Sequence, residues 1–137
     1  LDQATASARL RFARSCYDHL AGRLGVAVTE ALAQRRIVVP ASGRRYLVTD
    51  ERALRQLFGV DARVLRNGKR SFARQCLDWS ERRPHVAGAL GAAILHALLE
   101  REYVARLPST RALALSAAGE RWFTLRLGLG PFEPVRR

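Results

Sequence analysis

Apolar residues recur with a helical period along two stretches of this chain. Leu20, Leu24, Val28, Ala31 and Leu32 fall on one face at spacings of three and four, and Val86, Leu90, Ile94, Ala97 and Leu98 do the same. Such stripes predict two long amphipathic helices, the first from His19 onward. Asp18 is placed as the N-cap of the first helix. Ser80 is the cap candidate of the second, with Pro84 in the first turn, where its missing N–H costs little.

After each stripe the pattern changes to hairpins. Ile37-Val-Val39, a turn at Pro40-Ala-Ser-Gly43 and Arg44-Arg-Tyr-Leu-Val48 read as strand, loop, strand. Tyr103-Val-Ala-Arg106, Leu107-Pro-Ser-Thr110 and Arg111-Ala-Leu-Ala-Leu115 repeat that order. Two shorter helices follow, over 49–58 and 116–125, each ending at a glycine and an apolar residue, Gly59-Val60 and Gly128-Leu129. Residues 12–18 read as a short strand, with a helix as the alternative. Residues 1–11 are Ala-rich and suit the end of a helix, and the tail from Gly130 should be irregular.

The two halves are also alike residue by residue. His19–Val38 and His85–Val104 are identical at ten of twenty positions at an offset of 66, and Phe12–Asp18 matches Phe72–Asp78 at five of seven. Agreement of that density predicts a tandem duplication. The expected organisation is a first repeat over 1–60 with its lead-in, a basic linker over 61–71, a second repeat over 72–129 and a tail over 130–137. A long helix followed by a two-stranded hairpin is the second half of a winged-helix unit. The expected fold class is therefore α+β, with two winged-helix-like repeats (short strand, long helix, β-hairpin, short helix) packed as a pseudo-dimer.

Two glycines stand in each long helix, Gly22 with Gly25 and Gly88 with Gly91, and each costs about 1 kcal/mol relative to Ala in a helix interior. Their recurrence predicts a small-residue face against which another backbone lies close. The alternative is that Gly22 and Gly88 begin a turn between two helices.

The chain has 137 residues, 48% of them hydrophobic and 26% charged, which is the balance of a folded domain. It has no Met and opens on Leu1, so a longer protein is expected upstream. The apolar run from Val86 to Leu99 is interrupted by His96 and is too short to span a bilayer. Two cysteines sixty residues apart do not make a disulfide framework, so a reducing cytoplasm is expected. The formal net charge is +12, with one Lys among 24 basic residues. Residues 9–60 carry +6, 61–71 carry +3 and 72–129 carry +3. That potential attracts polyanions, although a bias toward Arg, Ala and Leu is also what a GC-rich genome produces.

Three stretches resemble a known family. Cys16-Tyr-Asp-His-Leu-Ala-Gly-Arg-Leu-Gly25, Cys76-Leu-Asp-Trp-Ser-Glu-Arg-Arg-Pro-His-Val-Ala-Gly-Ala-Leu-Gly91 and Ala114-Leu-Ser-Ala-Ala-Gly119 are similar to the C-terminal extension of bacterial ArsR-type winged helix-turn-helix regulators. The resemblance runs over about residues 9–129. It implies a dimeric, DNA-binding transcription factor whose DNA-reading winged helix lies in a preceding domain, with this region as the regulatory part. Asp50-Glu-Arg52 stands where the family pattern has Pro-Ala-Gly, so the first hairpin-to-helix corner is expected to differ.

Cysteine and histidine recur together, Cys16 with His19 and Cys76 with His85. Two such pairs brought together would make the four ligands that zinc or another thiophilic metal takes in a tetrahedron. Unequal spacers, two residues against eight, predict that the pairs differ in local geometry. Such pairs would serve a metal sensor or a redox or thiol-ligand sensor; the plain alternatives are a buried hydrophobic thiol and a capping imidazole, so no cofactor is the default expectation.

Basic residues offer a second candidate site. Arg35, Arg36, Arg44 and Arg45 flank the first hairpin, and Arg63, Arg66, Lys69 and Arg70 make the linker basic. Such residues bind phosphate without reading sequence, and a hairpin tip with adjacent arginines could enter a minor groove. The alternative is a solvated basic face. Arg82 and Arg83 beside Trp79 could stack an anionic ligand, but a tryptophan there is expected in the core.

Enzyme chemistry is not expected. The twelve acids are scattered, and Asp50-Glu51 suits a helix start. No phosphate loop or serine elbow is present, and Ala21-Gly-Arg-Leu-Gly25 does not follow a strand of a βαβ unit.

Overall fold

The computed structural model describes residues 2–132. It is mixed α and β with antiparallel sheets, consistent with the α+β class. Helix α1 spans Gln3–Phe12, capped by Asp2, which accepts from the Thr5 amide at 2.7 Å. Strands β1 (Arg14–Cys16) and β2 (His19–Ala21) form a tight hairpin, followed by α2 (Gly22–Gln34), β3 (Val38–Ala41), β4 (Arg45–Val48) and α3 (Glu51–Phe58). The segment expected to be a linker contains a short helix, α4 (Ala62–Arg66), N-capped by Asp61. The second half runs β5 (Arg74–Leu77), β6 (Pro84–Ala87), α5 (Gly88–Glu100), β7 (Val104–Arg106), β8 (Leu113–Leu115) and α6 (Ala117–Leu127). The tail shows no regular structure over 130–132, and the rest of it lies outside the described residues.

The long helices start later than the apolar stripes predict. His19–Ala21 and Pro84–Ala87 are strands, so Leu20 and Val86 are buried from β2 and β6 rather than from a helix. Pro84 opens an edge strand, where a missing N–H is tolerated. Asp18 and Ser80 cap neither long helix; the N-cap positions are Ala21 and Ala87. Gly22 and Gly88, with φ of +79° and +76°, make the turn from strand into helix. A Cβ on Gly22 would come within 2.9 Å of the Arg11 and Phe12 carbonyls. The close approach expected at Gly25 is real, but the backbone it meets is that of β2, the strand leading into its own helix: an added Cβ would stand 2.5 Å from the Leu20 carbonyl oxygen. The helix-start amides are satisfied from elsewhere. Asp78 accepts from Gly22 N at 2.8 Å, while Ser71 and Phe72 carbonyls accept from Ala89 and Leu90 at 2.9 and 2.7 Å.

The shorter helices follow the sequence closely. Asp50 and Ser116 cap α3 and α6, accepting from the Ala53 and Gly119 amides. Gly59 and Gly128 end them in the left-handed region, at φ of 69° and 66°.

The halves are interleaved. β3, β4, β5 and β6 form one four-stranded sheet, so the second hairpin of the first half adds to the first hairpin of the second half, with Arg45 opposite Arg74. The reciprocal junction is made by backbone bonds from Ser15 N to Arg111 O and from Leu113 N to Ala13 O, beside a bridge between Arg14 and Ala112. Helix α2 packs on β6 and α5 on β2. One core results, with Leu24, Leu32, Leu54, Leu90, Ile94, Leu98 and Phe123 fully buried. Each such side chain contributes roughly 1.5–3 kcal/mol by leaving water. The arginines at the helix ends cross over too: Arg35 donates to the Leu127 carbonyl at 2.8 Å and Arg101 to the Leu57 carbonyl at 2.6 Å. Among the described residues, no helix is long and apolar enough to cross a membrane.

Candidate functional site

Cys16 on β1 lies directly opposite His19 on β2, and Cys76 on β5 lies directly opposite His85 on β6. Paired residues on antiparallel strands point to the same face with Cβ atoms about 5 Å apart. The two pairs thus share one cross-strand arrangement, against the expectation from their unequal spacers. Register decides the geometry, and the six additional residues of the second hairpin go into its loop.

Close packing of β2 and β6 then joins the pairs. His19 Nε2 and His85 Nε2 stand 3.0 Å apart, with ring centroids 4.8 Å apart and planes tilted by 46°. One ligand atom from each of Cys16, His19, Cys76 and His85 lies within 4.8 Å of all the others. Metal–nitrogen bonds of about 2.0 Å and metal–sulfur bonds of about 2.3 Å place tetrahedral donors roughly 3.3–3.8 Å apart. The four donors are therefore within a small adjustment of that geometry. Both histidines are buried and both cysteines half-buried.

Each imidazole has a carboxylate behind it. Asp18 Oδ1 is 3.4 Å from His19 Nδ1, and Asp78 Oδ1 is 3.2 Å from His85 Nδ1. The second contact is close but off the ring N–H direction, so His85 Nδ1 has no aligned acceptor. Carboxylates only accept, which favours the proton on Nδ1 of His19 and leaves its Nε2 as an acceptor, while His85, with no aligned acceptor at Nδ1, is free to carry its proton on either nitrogen. Burial, then the neighbouring His19, pushes His85 down to about 4, and burial also lowers His19. Burial, then Cys16, pushes the Cys76 thiol up to about 11, while Arg74 favours its thiolate.

Asp78 is the most heavily bonded side chain here. Its Oδ1 accepts from Arg14 Nη2 and Gly22 N, both at 2.8 Å. Its Oδ2 accepts from Ser80 N at 3.1 Å, Ser80 Oγ at 2.7 Å and Glu81 N at 2.9 Å. Burial opposes its ionisation, yet the Ser80 hydroxyl, the Gly22 and Glu81 amides and the Arg14 guanidinium together hold it well below the usual carboxylate range. Arg14 is itself buried and also donates to Leu10 O and Ser80 Oγ. Neither Arg14 nor Asp78 was selected from the sequence. The available signal was the recurrence of Phe-Ala-Arg and of the aspartate two residues after each cysteine, but Arg74, the counterpart of Arg14, is exposed. Trp79, expected in the core, is 65% exposed and lies on the Arg14 guanidinium, 4.4 Å from its ring centroid. Arg83 pairs with Glu30 at 2.9 Å rather than framing a stacking site with Trp79.

A cleft of about 540 Å³ reaches His19 and Cys76 and is lined by Arg44, Arg70 and Arg74. The basic residues are dispersed in role. Arg35 is tied to Leu127, Arg66 pairs with Glu51 at 2.7 Å, and Arg70 pairs with Asp18 at 2.8 Å. Arg36 is exposed at φ of 56°, with its carbonyl accepting from Thr49 Oγ1. Arg44 and Arg45 are exposed at the tip of the β3–β4 hairpin, Arg63 is exposed on α4, and Lys69 is exposed in the segment before β5.

Over 121 residues the chain is 43% identical to a Bacillus subtilis (strain 168) protein described as the uncharacterized HTH-type transcriptional regulator YdfF. The matched stretch covers 88% of the chain and 53% of that protein, so the chain spans about half the length of the curated relative it matches. No protein-family model matches the chain, and no solved structure matches it.

Proposed function

We propose that this chain is the regulatory and oligomerisation region of a DNA-binding transcriptional regulator of the ArsR type. The carrying observation is its 43% identity, over 88% of its length, to a protein described as an HTH-type transcriptional regulator. On this reading the DNA-reading winged helix-turn-helix lies in the other half of such a protein, and the regulator works as a cytoplasmic homodimer. The two halves of the chain are duplicated winged-helix-like units packed about a pseudo-twofold axis, a reading supported by their reciprocal hairpin junctions and reciprocal arginine caps. The assigned activity is binding, without catalysis.

A second reading has its own support: Arg44 and Arg45 are exposed at a hairpin tip, and Arg74 stands opposite Arg45 on the next strand. On that reading the hairpins and the segment over 61–71 bind nucleic acid directly, through Arg35, Arg36, Arg44, Arg45, Arg66, Lys69 and Arg70. Fluorescence anisotropy of this chain with a generic duplex, titrated at low and near-physiological salt, separates the two. Each phosphate contact contributes about −0.9 to the slope of log affinity against log salt. The regulatory reading expects no measurable binding at near-physiological salt. Tight binding with a steep slope, relieved by Arg44→Ala with Arg45→Ala, overturns it in favour of direct binding.

A further inference from the structure

We propose that Cys16, His19, Cys76 and His85 hold one tetrahedral divalent transition-metal ion of the zinc class, and that this ion clamps the two halves of the chain together. The site stands apart from the question of DNA binding, because it is argued from this chain's side chains alone.

Three observations carry it. First, four donors of the types zinc takes, two thiols and two imidazoles, converge from four strands with their ligand atoms within 4.8 Å of one another. Second, the histidines face each other through Nε2 at 3.0 Å while each Nδ1 faces an aspartate. Metal-bound imidazoles usually show this arrangement, with the outward N–H on a carboxylate that fixes the ring and its tautomer. Without an ion, one ring can donate its Nε2–H to the other at this distance. With the protons on both Nδ1 atoms instead, the two Nε2 lone pairs converge on one point, where a cation takes the place of the shared proton and is bound by both. Third, Asp78, behind His85, is held by five hydrogen bonds and is fully buried. A ligand-orienting group of that rigidity is what a preformed site requires.

A disulfide between Cys16 and Cys76 is the competing use of the sulfurs, and it gives the facing imidazoles no role. A purely structural use leaves Asp18 with Arg70 and Asp78 with Arg14 and the start of α2, but it gives the convergence of two thiols and two imidazoles on one point no role. The cleft past Arg44, Arg70 and Arg74 supplies an entry path. When the ion binds, each thiol releases its proton to solvent and the thiolate forms the bond to the metal. Two thiolates balance the charge of the divalent ion, so the filled centre is neutral and suited to burial.

The test uses the chain stripped of metal by a chelator under reducing conditions and titrated with cobalt(II). The expected result is intense tetrahedral d–d absorption with a thiolate-to-metal charge-transfer band, saturating at one equivalent. Added zinc should displace both bands, and metal should raise the thermal unfolding midpoint by several degrees. Cys16→Ser with Cys76→Ser should abolish the charge-transfer band, whereas Arg44→Ala should keep it. A chain folded by circular dichroism that gives no charge-transfer band overturns the proposal, as does a band that survives in the double serine variant. Should that variant fail to fold, the wild-type titration remains decisive. Thiol counting on the same samples completes the test: thiols accessible without metal and protected with it support the site, and an intramolecular disulfide formed with no metal uptake overturns it.

Discussion

Replacing Asp78 is the sharpest test of how this fold is held together. The carboxylate is fully buried, accepts five hydrogen bonds and neutralises a guanidinium that is 1% exposed. Asp78→Asn keeps the shape but turns one oxygen into a donor. Whichever way the amide is oriented, its N–H groups meet either Arg14 and Gly22 or Ser80 and Glu81, all of which are donors at that point. The Arg14 charge is then buried beside neutral acceptors only, the Leu10 carbonyl and the Ser80 hydroxyl. Removing one partner of a buried pair costs about 3–5 kcal/mol. Typical total stabilities are about 5–15 kcal/mol, so this loss threatens folding at ordinary temperature. A single variant does not separate the ion pair from the helix cap, so a cycle is needed. Arg14→Met should cost less than Asp78→Asn, because Asp78 keeps its Gly22, Ser80 and Glu81 donors. Arg14→Met with Asp78→Asn should cost less than the sum of the two single losses, since the pair then leaves no uncompensated charge. Urea unfolding followed by far-ultraviolet circular dichroism measures all four proteins. Dichroism is preferred to tryptophan emission because Trp79 rests on Arg14 and would report local changes. A loss under about 1 kcal/mol for Asp78→Asn, or a cycle with no coupling, would refute the reasoning.

Two further outcomes follow from the same packing. Gly25→Ala should destabilise by about 1–3 kcal/mol through overpacking against the Leu20 carbonyl, whereas in a free helix it would gain about 1 kcal/mol; a higher urea midpoint would contradict the close approach. Arg35→Ala and Arg101→Ala each remove one part-buried cap on the other half's helix, from Leu127 and Leu57, and should each cost about 0.5–1 kcal/mol. Their effects should add in the double variant, and a loss seen for only one of them would show that the reciprocal caps are not equivalent.

Local rules were enough for much of this architecture. The apolar stripes marked α2 and α5, the turn residues marked both later hairpins, and Gly59 and Gly128 marked the ends of α3 and α6, because each of those features depends on neighbours within a few residues. The recurrence of Cys and His in both halves named the four ligand candidates. It could not place them. Whether Cys16 meets His19, and Cys76 meets His85, depends on hairpin register, which the spacers of two and eight residues do not reveal. The strand character of His19–Ala21 was hidden because Leu20 also fits the helical stripe, and a three-residue strand is too short to show a period of its own. The meeting of His19 with His85, and the burial of Arg14 on Asp78, are decided between halves more than sixty residues apart. Interleaving of the two halves sets those contacts, and it is a property of the packed sheets and helices that no local stretch of sequence carries.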